Sequence, residues 1–288
     1  MRSGLVSLLC LVSCLVSACR APSSDRTYTL QGQVLSIAPT HQEATIKHEE
    51  IQGLMPAMTM PYKVREAQLL DGITPGDLIT AMLTVTSNDA YLTDVKTVGR
   101  APLEQPPALS SDPAPPASSG FELLKPGERV PETRFIDQNG TPRDFSSFTG
   151  STVVLTFIYT RCPMPTFCPL MDRHFAAMQT TLGKDPASGR RVHLVSVSLD
   201  PVYDTPPVLA RHAAALHADP RRWTFLTGSR DDIDRFAARF GVSIARALKD
   251  QGDITHNLRT AIVGADGALV KLYTGNEWTP EQVLAEIP

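Results

Sequence analysis

The first large segment of the chain alternates apolar and polar positions, a pattern typical of half-buried β-strands. Turn signals separate the alternating runs, for example the Thr-Pro-Gly-Asp stretch at residues 74–77. The predicted strands cover residues 28–37, 43–48, 60–64, 78–85 and 91–98. Several short strands at this spacing predict a small all-β, OB-like barrel within residues 25–99.

The segment from residue 121 to residue 288 follows a different pattern. Residues 152–159 and 192–199 are continuous apolar runs, which predict buried strands. Between them, large apolar residues recur at helical spacing at positions 167, 170, 171, 175, 178 and 182. An opening hairpin over 135–140, helices over 208–216 and 233–240, strands over 223–226, 260–263 and 269–273, and a last helix from Pro280 complete the prediction. This order predicts an α/β thioredoxin-like domain.

A stretch dense in Pro, Ala and Ser separates the two segments at residues 100–120. Such a composition buries too little apolar surface to offset the entropy of ordering, and its prolines favour an extended spacer. We therefore expect two domains, at residues 25–99 and 121–288, joined by a linker.

The chain begins with a stretch typical of an export signal. Arg2 precedes an uncharged, largely apolar run over residues 3–18, which is too short for a bilayer span of about 20 residues. The Val-Ser-Ala-Cys sequence at 16–19 resembles the lipobox of bacterial lipoproteins, which implies removal of residues 1–18 and lipidation of Cys19. An uncleaved anchor or a non-lipidated signal is the alternative. We expect a lipid anchor in the bacterial cell envelope, facing the periplasm.

Composition and charge narrow the classes of function. With 42% hydrophobic and 20% charged residues among 288, the chain is typical of a folded globular protein. A formal charge of -3 and a pI near 6.2 give no basic face, so no nucleic-acid partner is expected. If the signal is removed and Cys19 is lipidated, Cys162 and Cys168 are the two thiols left. In an oxidising compartment such a pair forms a disulfide, a metal site or a redox centre.

The two thiols lie where the first apolar strand of the second domain gives way to a helix. Pro169 suits the first helical position, so Cys168 is expected near a helix N-terminus, where the helix dipole favours a thiolate. A thiolate is both the nucleophile of disulfide exchange and a soft ligand for Cu(I). Pro163 and Pro165 keep the intervening loop non-helical, so that it can bring the sulfurs together. A permanent structural disulfide is the alternative, although closing so short a loop gains little stability.

Several motifs make residues 126–288 resemble the Sco/SenC family of thioredoxin-fold copper chaperones for cytochrome c oxidase. These motifs are the cysteine pair followed by Pro169, the Ser-Val-Ser-Leu-Asp-Pro stretch at 196–201, the Asp-Thr-Pro stretch at 204–206, and His256 shortly before a strand. The resemblance implies that Cys162, Cys168 and His256 bind one copper ion, as Cu(I) or Cu(II).

The cysteine loop departs from that family's pattern. The family has three residues between the cysteines, whereas this chain has five, including Met164. The longer loop could admit a thioether ligand or favour redox chemistry over copper delivery. Asp204 precedes a Thr-Pro-Pro sequence and is interpreted as a helix cap rather than a functional residue.

Three methionines are clustered at positions 55, 58 and 60 of the first domain. On an extended strand Met58 and Met60 project from one face, and two thioethers near an imidazole such as His48 or His41 form a soft site for Cu(I) or Ag(I). The alternative is that these methionines fill the barrel interior as adaptable core residues.

This part of the chain, residues 29–98, resembles the CusF-like periplasmic copper-binding domain. The residues that carry the resemblance are the Ile-Lys-His-Glu-Glu-Ile stretch at 46–51 and the methionine cluster at 55–61. It implies that His48, Met58 and Met60 are copper ligands. The tryptophan that caps copper in that family is missing, and Met55 stands nearest its place.

These observations lead to the hypothesis of an envelope copper chaperone for assembly of the dinuclear copper site of cytochrome c oxidase. The expected partners are the copper-bearing oxidase subunit or another periplasmic copper chaperone, and the membrane through the lipid anchor. A periplasmic thiol–disulfide oxidoreductase using Cys162 and Cys168 is one alternative. A copper or silver tolerance protein that acts by sequestration is another.

Overall fold

The computed structural model of the chain describes residues 25–103, 122–184, 192–246 and 254–288. The predicted signal, Cys19 and most of the predicted linker lie outside the described residues. Among the residues that are described, no helix is long and apolar enough to cross a lipid bilayer.

The first domain is a closed five-stranded barrel with the strand order β1-β2-β3-β5-β4. Its strands are β1 (Arg26–Ile37), β2 (Glu43–His48), β3 (Met58–Val64), β4 (Asp77–Val85) and β5 (Ala90–Arg100). A short 3-10 helix, Ala67–Leu70, connects β3 to β4. Each strand lies within about two residues of its predicted bounds, because alternate positions along the strands are buried in the barrel interior.

Gly32 lets strand β1 approach strand β2 closely. A Cβ atom at this position would lie 2.6 Å from the Lys47 carbonyl oxygen and 2.8 Å from the His48 Cα atom. Gly32→Ala is therefore expected to destabilise the barrel by about 1–3 kcal/mol through overpacking. Urea unfolding followed by circular dichroism measures this effect. Gly99→Ala is the control, since a Cβ there meets Leu78 at an ordinary 3.6 Å, and equal losses in the two variants would contradict the expectation.

The second domain is a seven-stranded mixed sheet with the order β14-β13-β8-β9-β10-β6-β7. The strands are β6 (Arg134–Asp137), β7 (Pro142–Asp144), β8 (Thr152–Ile158), β9 (Val192–Ser198), β10 (Trp223–Thr227), β13 (Arg259–Val263) and β14 (Leu269–Thr274). The helices are α1 (Cys168–Lys184), α2 (Pro206–Ala215), α3 (Arg230–Arg239) and α4 (Pro280–Ala285), and Phe145–Phe148 forms a short 3-10 helix. Strands β8, β9 and β10 run parallel at the centre, and β8 and β9 are the two buried strands that the apolar runs predict.

A second, two-stranded sheet was not predicted from the sequence. Strands β11 (Ile244–Arg246) and β12 (Ile254–His256) pair antiparallel, with Ile244 opposite His256. Each strand has three residues, which is too short for a periodic pattern to appear. This small sheet fixes the backbone position of His256 next to the cysteine loop.

Candidate functional site

The cysteine loop joins the end of strand β8 to helix α1. Cys168 is the first residue of the helix, as predicted from Pro169. Two side chains from other elements hold the middle of the loop. Arg173 donates a hydrogen bond to the carbonyl of Pro165 at 2.9 Å, and Asn276 donates one to the carbonyl of Thr166 at 2.7 Å.

Asp204 holds the start of this loop, which corrects the prediction that it caps a helix. The N-cap of helix α2 is Thr205, whereas the Asp204 carboxylate is fully buried. It accepts hydrogen bonds from the Thr160 backbone N–H at 3.1 Å and from the hydroxyls of Thr160 and Ser198 at 2.5 Å. Asp204 therefore connects β8 and β9 at the point where the cysteine loop begins.

Cys162 and Cys168 are free thiols that hydrogen-bond to each other. The hydrogen bond from Cys168 lowers the pKa of Cys162 to about 7, while burial raises the pKa of Cys168 well above its usual range. The raised pKa of Cys168, caused first by burial, does not support the expected thiolate at this helix N-terminus. Cys162, with its pKa of about 7, is the cysteine that ionises near neutral pH.

His256 presents one ring nitrogen to the thiol pair. Its Nδ1 lies 3.1 Å from the Asn257 carbonyl, which assigns the proton to Nδ1 and leaves the Nε2 lone pair facing the Cys168 sulfur at 3.7 Å. Burial lowers the pKa of His256 to about 4, so the imidazole is neutral at pH 7. A neutral imidazole held by a backbone carbonyl is a prepared metal ligand.

The two thiols are expected to differ strongly in reactivity. In the metal-free chain, alkylation of Cys162 by iodoacetamide should rise about a hundredfold from pH 5 to pH 8 and be half-maximal near pH 7, because only the thiolate reacts. Mass spectrometry of the modified peptide measures each cysteine separately. In Cys162→Ser, the buried Cys168 should remain slow at pH 8. Earlier labelling of Cys168 than of Cys162 would contradict this assignment.

The predicted barrel ligands lie on the interior face of the barrel. Met58 and Met60 project to the same side of strand β3, and His48 lies directly opposite Met58 on strand β2. His48 is 2% exposed, and its Nδ1 is held by the Glu49 carbonyl at 2.6 Å. Its Nε2 is buried and has no hydrogen-bond partner among the described residues. A buried imidazole nitrogen without a partner beside a thioether fits a soft metal ion.

Met55 and Tyr62 lie beside this histidine. The Tyr62 ring meets the His48 ring edge to face at 5.6 Å, and its hydroxyl donates to the Met55 sulfur at 3.7 Å. Burial raises the pKa of Tyr62, so the hydroxyl stays protonated as a donor. Met55 is therefore buried beside the site, although its sulfur already accepts a hydrogen bond.

A cavity of about 420 Å³ lies between the two domains and joins their candidate sites. Its lining includes five sulfur-bearing side chains and one imidazole, namely Met55, Met58, Met60, Cys162, Met164 and His256. The domains touch across it, since the Thr255 hydroxyl lies 3.6 Å from the Met58 sulfur. Spacing within the sequence gave no sign of this contact, because Met58 and Thr255 are 197 positions apart.

The predicted ligands form adjacent pairs rather than a closed cage. Within the described ranges, no three His, Cys, Asp or Glu side chains converge as a metal site. In the second domain the contacts are Cys162 with Cys168, and Cys168 with His256. The donor set of two sulfurs and an imidazole, like that of two thioethers and an imidazole in the barrel, is nevertheless chemically suited to copper.

The sheet order and the paired thiols beside an imidazole define a thioredoxin-like domain with a candidate soft-metal site, preceded by a β-barrel. Residues 125–288 match the SCO1/SenC family model, and residues 27–97 match that of the copper binding periplasmic protein CusF. The chain belongs to the SCO1/SenC family and carries a CusF copper-binding domain. Copper is named in the description of the second model, that of CusF.

Individual relatives and solved structures are similar to parts of the chain. The chain is 31% identical over 174 residues to the SCO1 protein homolog of Bacillus subtilis, covering 59% of this chain and 88% of the relative. It is also similar to a SCO1/SenC family lipoprotein from Bacillus anthracis, with 26% identity, a TM-score of 0.50, and coverage of 57% of this chain and 96% of the other. ScoI of Bradyrhizobium japonicum, solved with copper bound, matches at 25% identity and a TM-score of 0.46, covering 55% and 97% of the two chains.

Proposed function

We propose that the chain is a periplasmic, lipid-anchored copper chaperone that delivers Cu(I) to the dinuclear copper site of cytochrome c oxidase. In this proposal Cys19 carries the lipid, His48, Met58 and Met60 take up copper, and Cys162, Cys168 and His256 pass it on. Copper is cargo here, held by soft donors and released to a partner.

The observation that carries the proposal is the cavity between the domains. Met58 and Met60 reach it from the barrel, and Cys162 and His256 reach it from the thioredoxin-like domain. Both groups of donors suit a monovalent soft ion. Two sites that face one cavity on a single chain make transfer between them intramolecular, which raises the effective concentration of donor and acceptor.

The low pKa of Cys162 supports uptake of copper near neutral pH. A thiol with a pKa of about 7 is partly ionised there, so little free energy is needed to remove its proton when copper binds. The neighbouring Arg161 forms an ion pair with Asp200 at 2.6 Å and lies over the Tyr203 ring. These contacts keep the residue before Cys162 in place.

A titration of the full chain with Cu(I) against a chromophoric chelator tests the binding part of the proposal. We expect two equivalents of tightly bound copper. Met58→Leu combined with Met60→Leu should remove one of them and leave the other, while Met82→Leu serves as the control within the same barrel. No retention of Cu(I) by the native chain would contradict the proposal.

A deletion strain tests delivery. Loss of the protein should lower cytochrome c oxidase activity when copper is scarce, and added copper should restore it. Normal oxidase activity combined with poor growth in excess copper would instead favour sequestration.

A thiol–disulfide oxidoreductase is the second candidate, and the free, hydrogen-bonded thiols favour it. Cys162 has the pKa of an attacking thiolate, and Cys168 lies beside it as a resolving thiol. Turnover with a model disulfide separates the two functions. A chaperone needs copper affinity and no turnover, whereas an oxidoreductase keeps its turnover in a copper-free solution.

A further inference from the structure

The cysteine loop inserts one side chain into the other domain. Met164 is only 4% exposed, and its side chain belongs to the hydrophobic core of the barrel rather than to that of its own domain. Met55 and Met60 are buried in the same cluster, and Phe167 packs against it. The five-residue loop therefore carries a thioether across the domain boundary.

The position of Met164 is also next to the candidate ligands. It lines the interdomain cavity together with Met58, Met60 and Cys162. The Cys162 sulfur lies 3.9 Å from the Met164 carbonyl, so the backbone of Met164 contacts the thiol while its side chain is buried with the barrel. One short loop thus contacts both candidate sites.

The two methionines and His48 give the barrel three donors for Cu(I), which can also accept a fourth soft donor such as a thioether. The sulfur of Met55 is engaged by the Tyr62 hydroxyl. For the Met164 sulfur, no hydrogen bond is found among the described residues. A leucine would fill the same apolar space, whereas a thioether adds lone pairs that a soft ion can use.

We propose that Met164 is a Cu(I) ligand of the barrel site, supplied by the neighbouring domain. This inference rests on the proposed function, because it requires the barrel to take up Cu(I). Its thioether joins Met58, Met60 and His48, so that copper in the barrel is held at the loop that also carries Cys162.

The transfer step that follows is a ligand exchange. A bond from copper to the Cys162 sulfur forms as a bond from copper to a methionine sulfur breaks. The thiol proton of Cys162 passes to water, and copper remains Cu(I) throughout, so no oxidant or reductant takes part.

Methyl NMR of the native full chain, labelled with [methyl-13C]methionine, tests the ligand assignment. Cu(I) is diamagnetic, and a methyl group on a coordinated sulfur shifts when the ion binds. The resonances of Met58, Met60 and Met164 should shift in the same titration step. The resonances of Met82, Met171 and Met178 should not shift, because these residues do not line the cavity.

Chelator competition with Met164→Leu provides the second measurement, and it keeps the side-chain volume nearly constant. The affinity of the barrel site should fall about tenfold, equivalent to about 1.4 kcal/mol. The copper held by Cys162 and Cys168 should be unaffected, and Met178→Leu should bind like the native chain.

The outcomes separate this inference from the proposed function. Shifts of Met58 and Met60 without Met164, or unchanged affinity in Met164→Leu, would overturn the inference and leave the chaperone proposal standing. If no methionine shifts and no Cu(I) is retained, both are wrong.

Discussion

Replacing Cys162 or Cys168 with serine is expected to lower the copper bound by the full chain from two equivalents of Cu(I) to one. A serine hydroxyl is a hard, protonated oxygen, and it offers a monovalent soft ion no comparable bond. The two sulfurs hydrogen-bond to each other, and Cys168 lies 3.7 Å from His256 Nε2, so the loss of either sulfur removes half of the thiol pair. Competition with a chromophoric Cu(I) chelator measures the stoichiometry.

Met171→Leu is the matched control for this experiment. Met171 is buried in helix α1, the helix that begins at Cys168, and its sulfur contacts the Thr260 hydroxyl. Its side chain does not line the interdomain cavity. It should retain both equivalents. Retention of both equivalents by Cys162→Ser and by Cys168→Ser would show that copper is held elsewhere.

Asp204→Ala is expected to cause the largest loss of stability, about 3 kcal/mol or more, because it leaves buried donors unsatisfied. The carboxylate accepts hydrogen bonds from Thr160 N–H, the Thr160 hydroxyl and the Ser198 hydroxyl, and alanine replaces none of them. Urea unfolding followed by tryptophan fluorescence measures this loss. The signal reports on the thioredoxin-like domain, because the 2 tryptophans of the chain, Trp223 and Trp278, both lie there.

Asp144→Ala is the control for that loss. The Asp144 side chain is 57% exposed and its ion pair with Arg134 spans 3.7 Å, so its removal should change stability by less than about 1 kcal/mol. The Asp204 variant should also bind copper less tightly at the thiol pair, because Thr160 begins the cysteine loop. If Asp204→Ala unfolds at the same urea concentration as the native chain, Asp204 does not hold the start of the cysteine loop.

Local sequence patterns predicted most of the fold. Strand alternation in the barrel and apolar runs at β8 and β9 depend on neighbouring residues, so they are visible in a single sequence. Met58 and Met60 share the interior face of the barrel for the same reason. Cys168 begins a helix because Pro169 follows it.

The contacts that shape the site connect distant parts of the chain. Asp204 reaches Thr160 across 44 positions, and a helix cap was the better local explanation of its Thr-Pro-Pro context. The high pKa of Cys168 depends on its burial, which a local pattern of residues does not reveal. The sequence indicated Met164 as a thioether that the longer loop could offer as a ligand, but its burial in the barrel depends on how the two domains pack.

Copper K-edge X-ray absorption of the full chain, loaded with Cu(I), tests most directly whether soft donors of both domains hold the ion. We predict a first shell dominated by sulfur, with a smaller nitrogen contribution from His48 and His256. The copper that Met58→Leu/Met60→Leu retains should show the cysteine sulfurs and the His256 nitrogen, and adding Cys162→Ser and Cys168→Ser should abolish copper binding. A first shell of oxygen and nitrogen alone would contradict the account.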